Sequence, residues 1–158
     1  MKTLILRHRR ENLKKCSLRG LENRSDISFF TYPKHPLPDL SNYLLLRVGA
    51  PELTREDADK GLLLIDGTWR LAAIMEKPHL HLSARSLPSD FITAYPRRQT
   101  DCEDPNKGLA SIEALFLAHL ILGKSTEGLL DHYHWKEAFL QLNQNALHCI
   151  LKGCSLQK

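Results

Sequence analysis

Residues 61–70, Gly-Leu-Leu-Leu-Ile-Asp-Gly-Thr-Trp-Arg, constrain the fold of this chain more than any other segment. The apolar run at 62–65 ends directly at Asp66 and Gly67. Continuous Leu and Ile runs are typical of a strand that is buried on both faces, as in a parallel sheet covered by helices. Because ligands of open α/β sheets bind beyond the carboxyl ends of such strands, we expect Asp66 at the edge of a ligand crevice.

Further strands are predicted by short runs rich in Leu, Ile and Phe. These runs occupy residues 3–8, 27–32 and 43–48. At 79–84 leucines alternate with histidines, which predicts a strand that is buried on one face only.

Helices are predicted between and after these strands. The hydroxyl of Thr68 is a candidate N-cap for a helix that begins at Trp69. A capping threonine before acidic residues predicts a short helix start within 53–59, and the apolar run at 109–122 predicts a buried helix. Helical spacing of apolar residues predicts a packed terminal helix at 132–151. The alternation of strands and helices indicates an α/β fold with a mostly parallel sheet and helices on both faces.

Length and composition set the size of the protein. A chain of 158 residues with 42% hydrophobic residues can form a single compact domain, residues 1–158, without disulfide or metal crosslinks. No run approaches the roughly 20 apolar residues of a membrane span, so we expect no membrane association. The four cysteines include no Cys-x-x-Cys pair and follow no secretory leader, which predicts reduced thiols and a cytoplasmic location. The sequence leaves the oligomeric state open.

Charge suggests an anionic partner. The formal net charge is +4, and two basic clusters stand out. Such clusters can neutralise phosphates of a structured RNA, although a solvated charged loop is the alternative interpretation. The candidate RNA-binding residues are Arg9, Arg10, Lys14, Lys15, Arg97 and Arg98.

Several common active-site motifs are missing from the sequence. The first predicted strand is followed by residues 9–17, which contain no glycine-rich phosphate or dinucleotide loop. There is no Gly-x-Ser-x-Gly nucleophile motif. His79 and His81 have no further ligands at a zinc-binding spacing, so the sequence predicts no metal site.

Five segments, in this order, resemble the RNA aminocarboxypropyltransferases. They are residues 14–18, 66–70, 85–88, 109–114 and 134–143. The chain is similar both to the branch that modifies a small-subunit rRNA nucleotide and to the DTW-domain proteins that modify tRNA uridine. Thr68 fits the DTW signature, whereas the Lys-Lys-Cys-Ser turn and the segment around Trp135 favour the rRNA branch. Residues 95–108 depart from the corresponding loop of the rRNA branch.

The resemblance implies a SPOUT-like fold with a carboxy-terminal trefoil knot. It further implies transfer of the 3-amino-3-carboxypropyl group from S-adenosylmethionine to a uridine-type nucleotide in rRNA or tRNA. Residues 1–60 would form a basic amino-terminal part, and residues 61–158 would form the knotted part that binds the cofactor. The cofactor-binding residues that it implies are Ser17, Ile65, Thr68, Trp69, Leu87, Lys107 and Ser111.

Asp66 is the candidate catalytic base in this interpretation. It would take the proton from the ring nitrogen of the base, which requires that burial make the carboxylate more basic. Alternatively, Asp66 orients the nucleotide or only ties down the turn. Trp69 could offer its ring face to the sulfonium, or it could be an ordinary core residue. Glu113, on an apolar helix, is expected to meet a backbone donor or a basic group.

Two other functions remain open at this point. A knotted methyltransferase would use the same cofactor but transfer its methyl group. A non-catalytic RNA-binding module would need only the basic clusters.

Overall fold

Five parallel strands form the centre of the protein in a computed structural model that describes residues 2–96 and 108–153. The strand order is β2-β1-β4-β3-β5, and every pair is parallel. The strands are β1 (Thr3–His8), β2 (Ile27–Tyr32), β3 (Tyr43–Leu46), β4 (Gly61–Asp66) and β5 (Ala84–Arg85). The predicted α/β class with a parallel sheet is confirmed.

Helices cover both faces of this sheet, as predicted. They are α1 (Trp69–Glu76), α2 (Ser111–Leu122), α3 (Lys136–Leu142) and α4 (Gln144–Lys152). On one face Leu4 and Leu63 pack with Met75 of α1, and on the other Ile5 packs with Leu115 of α2. Successive residues of a strand point to opposite faces, which is why residues 4–6 of β1 and 62–65 of β4, buried on both faces, are apolar without interruption.

α2 is the most deeply buried helix, as its uniformly apolar sequence predicted. It ends at Gly123, whose φ of +67° is in the left-handed region. A Cβ there would also collide with the guanidinium of Arg55. Glycine therefore suits this helix end for two reasons.

His119 of α2 connects this helix to the amino-terminal end of β1. Its ring lies 2.8 Å from Thr3 Oγ1 through Nε2 and 3.0 Å from the carbonyl oxygen of Ser125 through Nδ1. Because a carbonyl oxygen can only accept, the neutral ring donates from Nδ1 and accepts the Thr3 hydroxyl at Nε2. Burial lowers the pKa of His119, which favours this neutral form.

The predicted strand at 79–84 is wrong. A 3₁₀ helix, Lys77–His79, directly continues α1, and only Ala84–Arg85 pairs with β3. Pro78 lies in this 3₁₀ helix, where proline's fixed φ is compatible with helical backbone. The alternation of Leu and His in this segment is therefore not a sheet pattern.

The predicted terminal helix at 132–151 is divided in two. α3 and α4 meet at Asn143, which is almost fully buried. Its side chain donates to the carbonyl oxygens of Ile92 and Phe139 and accepts the Ile92 amide, each at 2.8 to 2.9 Å. This asparagine connects the helix junction to a distant loop, which helical periodicity alone does not reveal. α4 ends at Gly153, which is also left-handed.

Two smaller boundaries also differ from the predictions. The third strand ends at Leu46 rather than Val48, whose side chain is exposed. The short helix expected within 53–59 is a single 3₁₀ turn, Arg55–Asp57. In the parts of the chain that the structure describes, no helix has the length and apolar character needed to cross a bilayer.

Candidate active site at the carboxyl edge of the sheet

Asp66, the last residue of β4, lies at the carboxyl edge of the sheet, as its sequence position predicted. The neighbouring strand β1 places Arg7 in register with it. Arg7 Nε donates to Asp66 Oδ2 at 3.2 Å, and both side chains are less than one-tenth exposed. The centre of this edge is thus a buried ion pair between two adjacent strands.

Asp66 receives two further hydrogen bonds. The thiol of Cys16 donates to Oδ2 at 3.2 Å, and the hydroxyl of Ser111 donates to Oδ1 at 2.8 Å. These donors lie 50 and 45 residues away in the chain, in the loop after β1 and at the first residue of α2. Asp66 therefore connects β1, the following loop and α2 through one carboxylate.

Arg7 makes contacts on several sides. Nη2 lies 3.4 Å from Cys16 Sγ, Nη1 lies 3.5 Å from a carboxylate oxygen of Glu22, and the guanidinium stacks 4.5 Å from the ring centre of Phe29. A buried charge with this many partners is held in one position. The sequence analysis missed Arg7 in this role, although a lone arginine near the end of an apolar strand was a usable signal.

Cys16 acts as a neutral donor in this site. Burial raises the pKa of the Cys16 thiol to about 12, and the negative charge of Asp66 contributes in the same direction. Since the thiolate is the nucleophilic form, Cys16 is unreactive near neutral pH. Its position supports hydrogen bonding to Asp66 rather than covalent chemistry.

Ser17 joins the same loop to α2. Its hydroxyl oxygen accepts the backbone amide of Ile112 at 3.3 Å, in the first turn of the helix. Ser17 and Ser111, which were predicted to share a cofactor site, are therefore brought together by the fold. Ile65 and Leu87 are half-buried, and Leu87 packs against the core.

Thr68 and Trp69 lie just beyond Asp66, at the start of α1. Thr68 occupies the N-cap position as predicted, but its side chain makes no capping hydrogen bond. Trp69 is 54% exposed, so its interpretation as a core tryptophan is wrong. An exposed indole next to a buried carboxylate is available to a ligand.

Glu113 is fully buried and fully hydrogen-bonded. Its carboxylate accepts the backbone amides of Ala94 and Ala110, and the hydroxyls of Thr93 and Tyr133, at 2.7 to 2.9 Å. The predicted backbone donors are present. Glu113 therefore fixes residues 93–94 against the start of α2.

The predicted RNA-binding residues divide into two groups. Arg9, Arg10, Lys14 and Lys15 are exposed on the loop that leaves β1 beside Asp66, and none of them forms an ion pair with the residues that the structure describes. Arg97, Arg98 and the predicted cofactor residue Lys107 lie outside the described residues.

Glu11, in the same loop, was also missed by the sequence analysis. Its side chain is half-buried. Burial raises the pKa of the Glu11 carboxyl, the charge of Asp66 raises it further, and Arg7 acts in the opposite direction. The charges of Asp66 and Arg7 thus both act on Glu11 at this edge.

Together, the fold and this polar centre define an α/β domain with a buried cluster of charged and hydrogen-bonding side chains at the carboxyl edge of a parallel sheet, where ligands of open α/β sheets commonly bind. No family model matches the chain, and neither does any curated protein sequence. Among solved structures, the chain is similar to the SAM-dependent rRNA:acp-transferase Tsr3 from Vulcanisaeta distributa. The two are 26% identical, with a TM-score of 0.73 over 97% of this chain and 84% of that one. This neighbour confirms the resemblance to RNA aminocarboxypropyltransferases that the sequence motifs suggested.

Proposed function

We propose that this protein transfers the 3-amino-3-carboxypropyl group of S-adenosylmethionine to a uridine-type nucleotide in structured RNA, with rRNA as the favoured substrate. The proposal depends mainly on one observation. Three of the matching sequence segments meet at the carboxyl edge of the sheet. They contribute Asp66, its donors Cys16 and Ser111, and Ser17, which binds the start of α2. The similarity to a transferase of this class over nearly the whole chain supports the same reaction.

The composition of the site fits S-adenosylmethionine. The cofactor carries positive charge on its sulfonium and ammonium groups, and the carboxylates of Glu22 and Asp66 flank the buried Arg7 at this edge. The exposed face of Trp69 suits a cation, a contact worth about 0.5 to 2 kcal/mol. When bound, the cofactor supplies the aminocarboxypropyl group in activated form. The residues proposed to hold it are Ser17, Ile65, Thr68, Trp69, Leu87, Lys107 and Ser111.

Asp66 is proposed to position the site rather than to act as its base. Its two oxygens already accept three hydrogen bonds, one of them from a buried arginine. These bonds fix the carboxylate in place and occupy most of its lone pairs. The role in orientation, one of the alternatives considered from the sequence, is therefore favoured.

The remaining structural features carried by the resemblance are part of the same proposal. These are the SPOUT-type trefoil knot and the cofactor-binding role of residues 61–158. The division at residue 60 does not separate two sheets, because β1 to β3 pair with β4 and β5 in one sheet. A cytoplasmic location accords with Cys16 and Cys149, which are free thiols.

RNA binding is assigned to the exposed loop beyond β1. Its four basic residues belong to the loop whose Cys16 donates to Asp66, and they have no ion-pair partner among residues 2–96 and 108–153, so they are available to phosphates. Arg97 and Arg98 are proposed to contribute to the same surface. Binding should weaken steeply as salt rises, because each phosphate contact releases counterions.

The reaction can be tested directly with labelled cofactor. The protein is incubated with separate fractions of small-subunit rRNA and tRNA and with S-adenosylmethionine labelled in the aminocarboxypropyl arm. The RNA is then digested to nucleosides and analysed by mass spectrometry. Label in an rRNA nucleoside is the expected result, and label in a tRNA nucleoside would correct the substrate.

Two results would contradict the proposal. A methylated nucleoside without the labelled arm would identify a methyltransferase. Binding of RNA without any modified product, in either fraction, would identify a binding module. The variant with Arg9, Arg10, Lys14 and Lys15 changed to Gln serves as a control, since it should lose RNA binding and retain cofactor binding.

A further inference from the structure

Glu11 occupies a defined position at the carboxyl edge of the sheet. Its backbone amide donates to the carbonyl oxygen of His8 at 2.9 Å, which closes a tight turn directly after β1. This turn keeps Glu11 near the end of the strand that carries Arg7. Its side chain is half-buried there, on the same edge as Asp66.

The carboxylate of Glu11 differs from that of Asp66 in its hydrogen bonds. Within residues 2–96 and 108–153, it forms no hydrogen bond or ion pair. The nearby guanidinium of Arg7 is instead directed to Asp66 and Glu22. A half-buried carboxylate without a donor has lone pairs free to accept a proton.

The electrostatic surroundings of Glu11 act in the direction that a base requires. Burial and the charge of Asp66 both raise the pKa of Glu11, with Arg7 opposing them. A general base works best when its pKa approaches the operating pH, so these effects improve Glu11 as an acceptor. They also show that the two carboxylates are close enough to interact.

We propose that Glu11 is the residue that accepts the proton from the ring nitrogen of the acceptor nucleotide. This proposal rests on the proposed function. The ring nitrogen forms a bond to the γ-carbon of the aminocarboxypropyl arm while the carbon–sulfur bond breaks, and that bond's electron pair stays on sulfur as a neutral thioether. The proton of the ring nitrogen passes to Glu11 and then to solvent. Asp66, held by its three donors, keeps the edge in position.

The variant Glu11→Gln tests this role with little structural disturbance. Since the carboxylate has no donor among the described residues, the amide removes its basicity without breaking a hydrogen bond. Glu56→Gln is the matched control, because Glu56 is exposed in the 3₁₀ turn that precedes β4. Circular dichroism and urea unfolding establish that both variants fold.

The measurement is single-turnover transfer at saturating RNA and cofactor, across a pH series, with cofactor affinity from calorimetry. For Glu11→Gln we expect a rate loss of about 10²- to 10⁴-fold, an unchanged cofactor Kd and loss of the rise in rate on the acid side of the profile. The rate and pH profile of Glu56→Gln should match those of the unmodified protein.

Two results would overturn the proposal while the proposed function stands. In one, Glu11→Gln transfers within about threefold of the unmodified rate and keeps its acid limb. In the other, the saturated rate is unchanged but the cofactor Kd rises, which would make Glu11 a ligand of the cofactor's ammonium group. If the unmodified protein transfers nothing to any RNA fraction, the proposed function fails, and this proposal fails with it.

Discussion

Replacing Arg7 by methionine should destabilise the protein strongly. Methionine keeps the unbranched length of the side chain but removes the charge and its hydrogen bonds. Asp66 would then remain buried beside Cys16 and Ser111 without a counter-charge. The variant therefore measures how much the ion pair at the carboxyl edge contributes to folding.

The expected size of the effect follows from burial. The side chains of Arg7 and Asp66 are 9% and 6% exposed, so solvent screens their interaction little. Removing one partner of a buried ion pair costs about 3 to 5 kcal/mol, mostly because the other charge is left uncompensated. The contact with the Phe29 ring adds to the loss, whereas Glu22, 45% exposed, adds little. A loss of this size is a large part of the roughly 5 to 15 kcal/mol by which domains are stable.

Urea unfolding of four proteins gives the required numbers: the unmodified chain, Arg7→Met, Asp66→Asn and the double variant. Because Asn carries no charge, Asp66→Asn should reduce the free energy of unfolding less in the Arg7→Met variant than in the unmodified protein. The expected difference is about 0.5 to 3 kcal/mol. Lys136→Met is the control. Its ion pair with Asp131 is largely exposed and should contribute only about 0 to 1 kcal/mol.

Two results would contradict this prediction. In one, Arg7→Met lowers the free energy of unfolding no more than Lys136→Met does. In the other, the effects of Arg7→Met and Asp66→Asn on the free energy of unfolding add. Either result would mean that the buried pair is not coupled in the folded protein.

Three further predictions concern other parts of the structure. Burial lowers the pKa of His119 in the folded protein. The contribution of the neutral ring to stability is therefore present above the unfolded-state pKa, about 6.5, and declines as the pH falls below it. The free energies of unfolding of the unmodified protein and of His119→Gln, measured across this pH range, should converge on the acid side. The Cys16 thiol, with a pKa of about 12, should resist iodoacetamide at mildly alkaline pH, while the half-buried Cys149 serves as the internal comparison in peptide mass mapping. Trp69→Ala should change stability by less than about 0.5 kcal/mol but weaken calorimetric S-adenosylmethionine binding about 2- to 30-fold, and equal affinity would remove the indole from the proposed site.

The sequence was most informative where burial and chain direction act together. The strands Thr3–His8 and Ile27–Tyr32 have the predicted bounds, and β4 ends at Asp66 as expected. The middle of a strand that is buried on both faces is a continuous apolar run, so its sequence is distinctive. The carboxylate that ends such a strand has to lie at the sheet edge.

Local sequence patterns gave wrong secondary-structure predictions where a tertiary contact or the continuation of a helix determined the structure. The alternation at 79–84 resembles a half-buried strand, yet its first residue, His79, ends a 3₁₀ helix that continues α1, and a turn follows. Helical spacing continues across Asn143, yet that side chain binds the backbone of Ile92, far away in sequence, and marks the break between two helices. Neither contact leaves a periodic signal in the sequence.

The composition of the site could be predicted only in part. The motifs around Ser17, Asp66 and Ser111 were recognisable, and the fold brings them together. The half-buried position of Glu11 was not recognisable, since it belongs to a segment that looks basic and solvated, and the partner of Arg7 depends on the order of the strands.

An α/β fold, a strand that ends at the site and the acidic residue at its end could all be recognised from the sequence alone. These depend on the local alternation of apolar and polar residues, which follows the geometry of each strand and helix. The contacts of Arg7 and Cys16 with Asp66, and the lack of a partner for the Glu11 carboxylate among residues 2–96 and 108–153, became visible only in the folded structure. Those contacts depend on which strands become neighbours, and a buried charge takes the partner that the sheet order brings within reach.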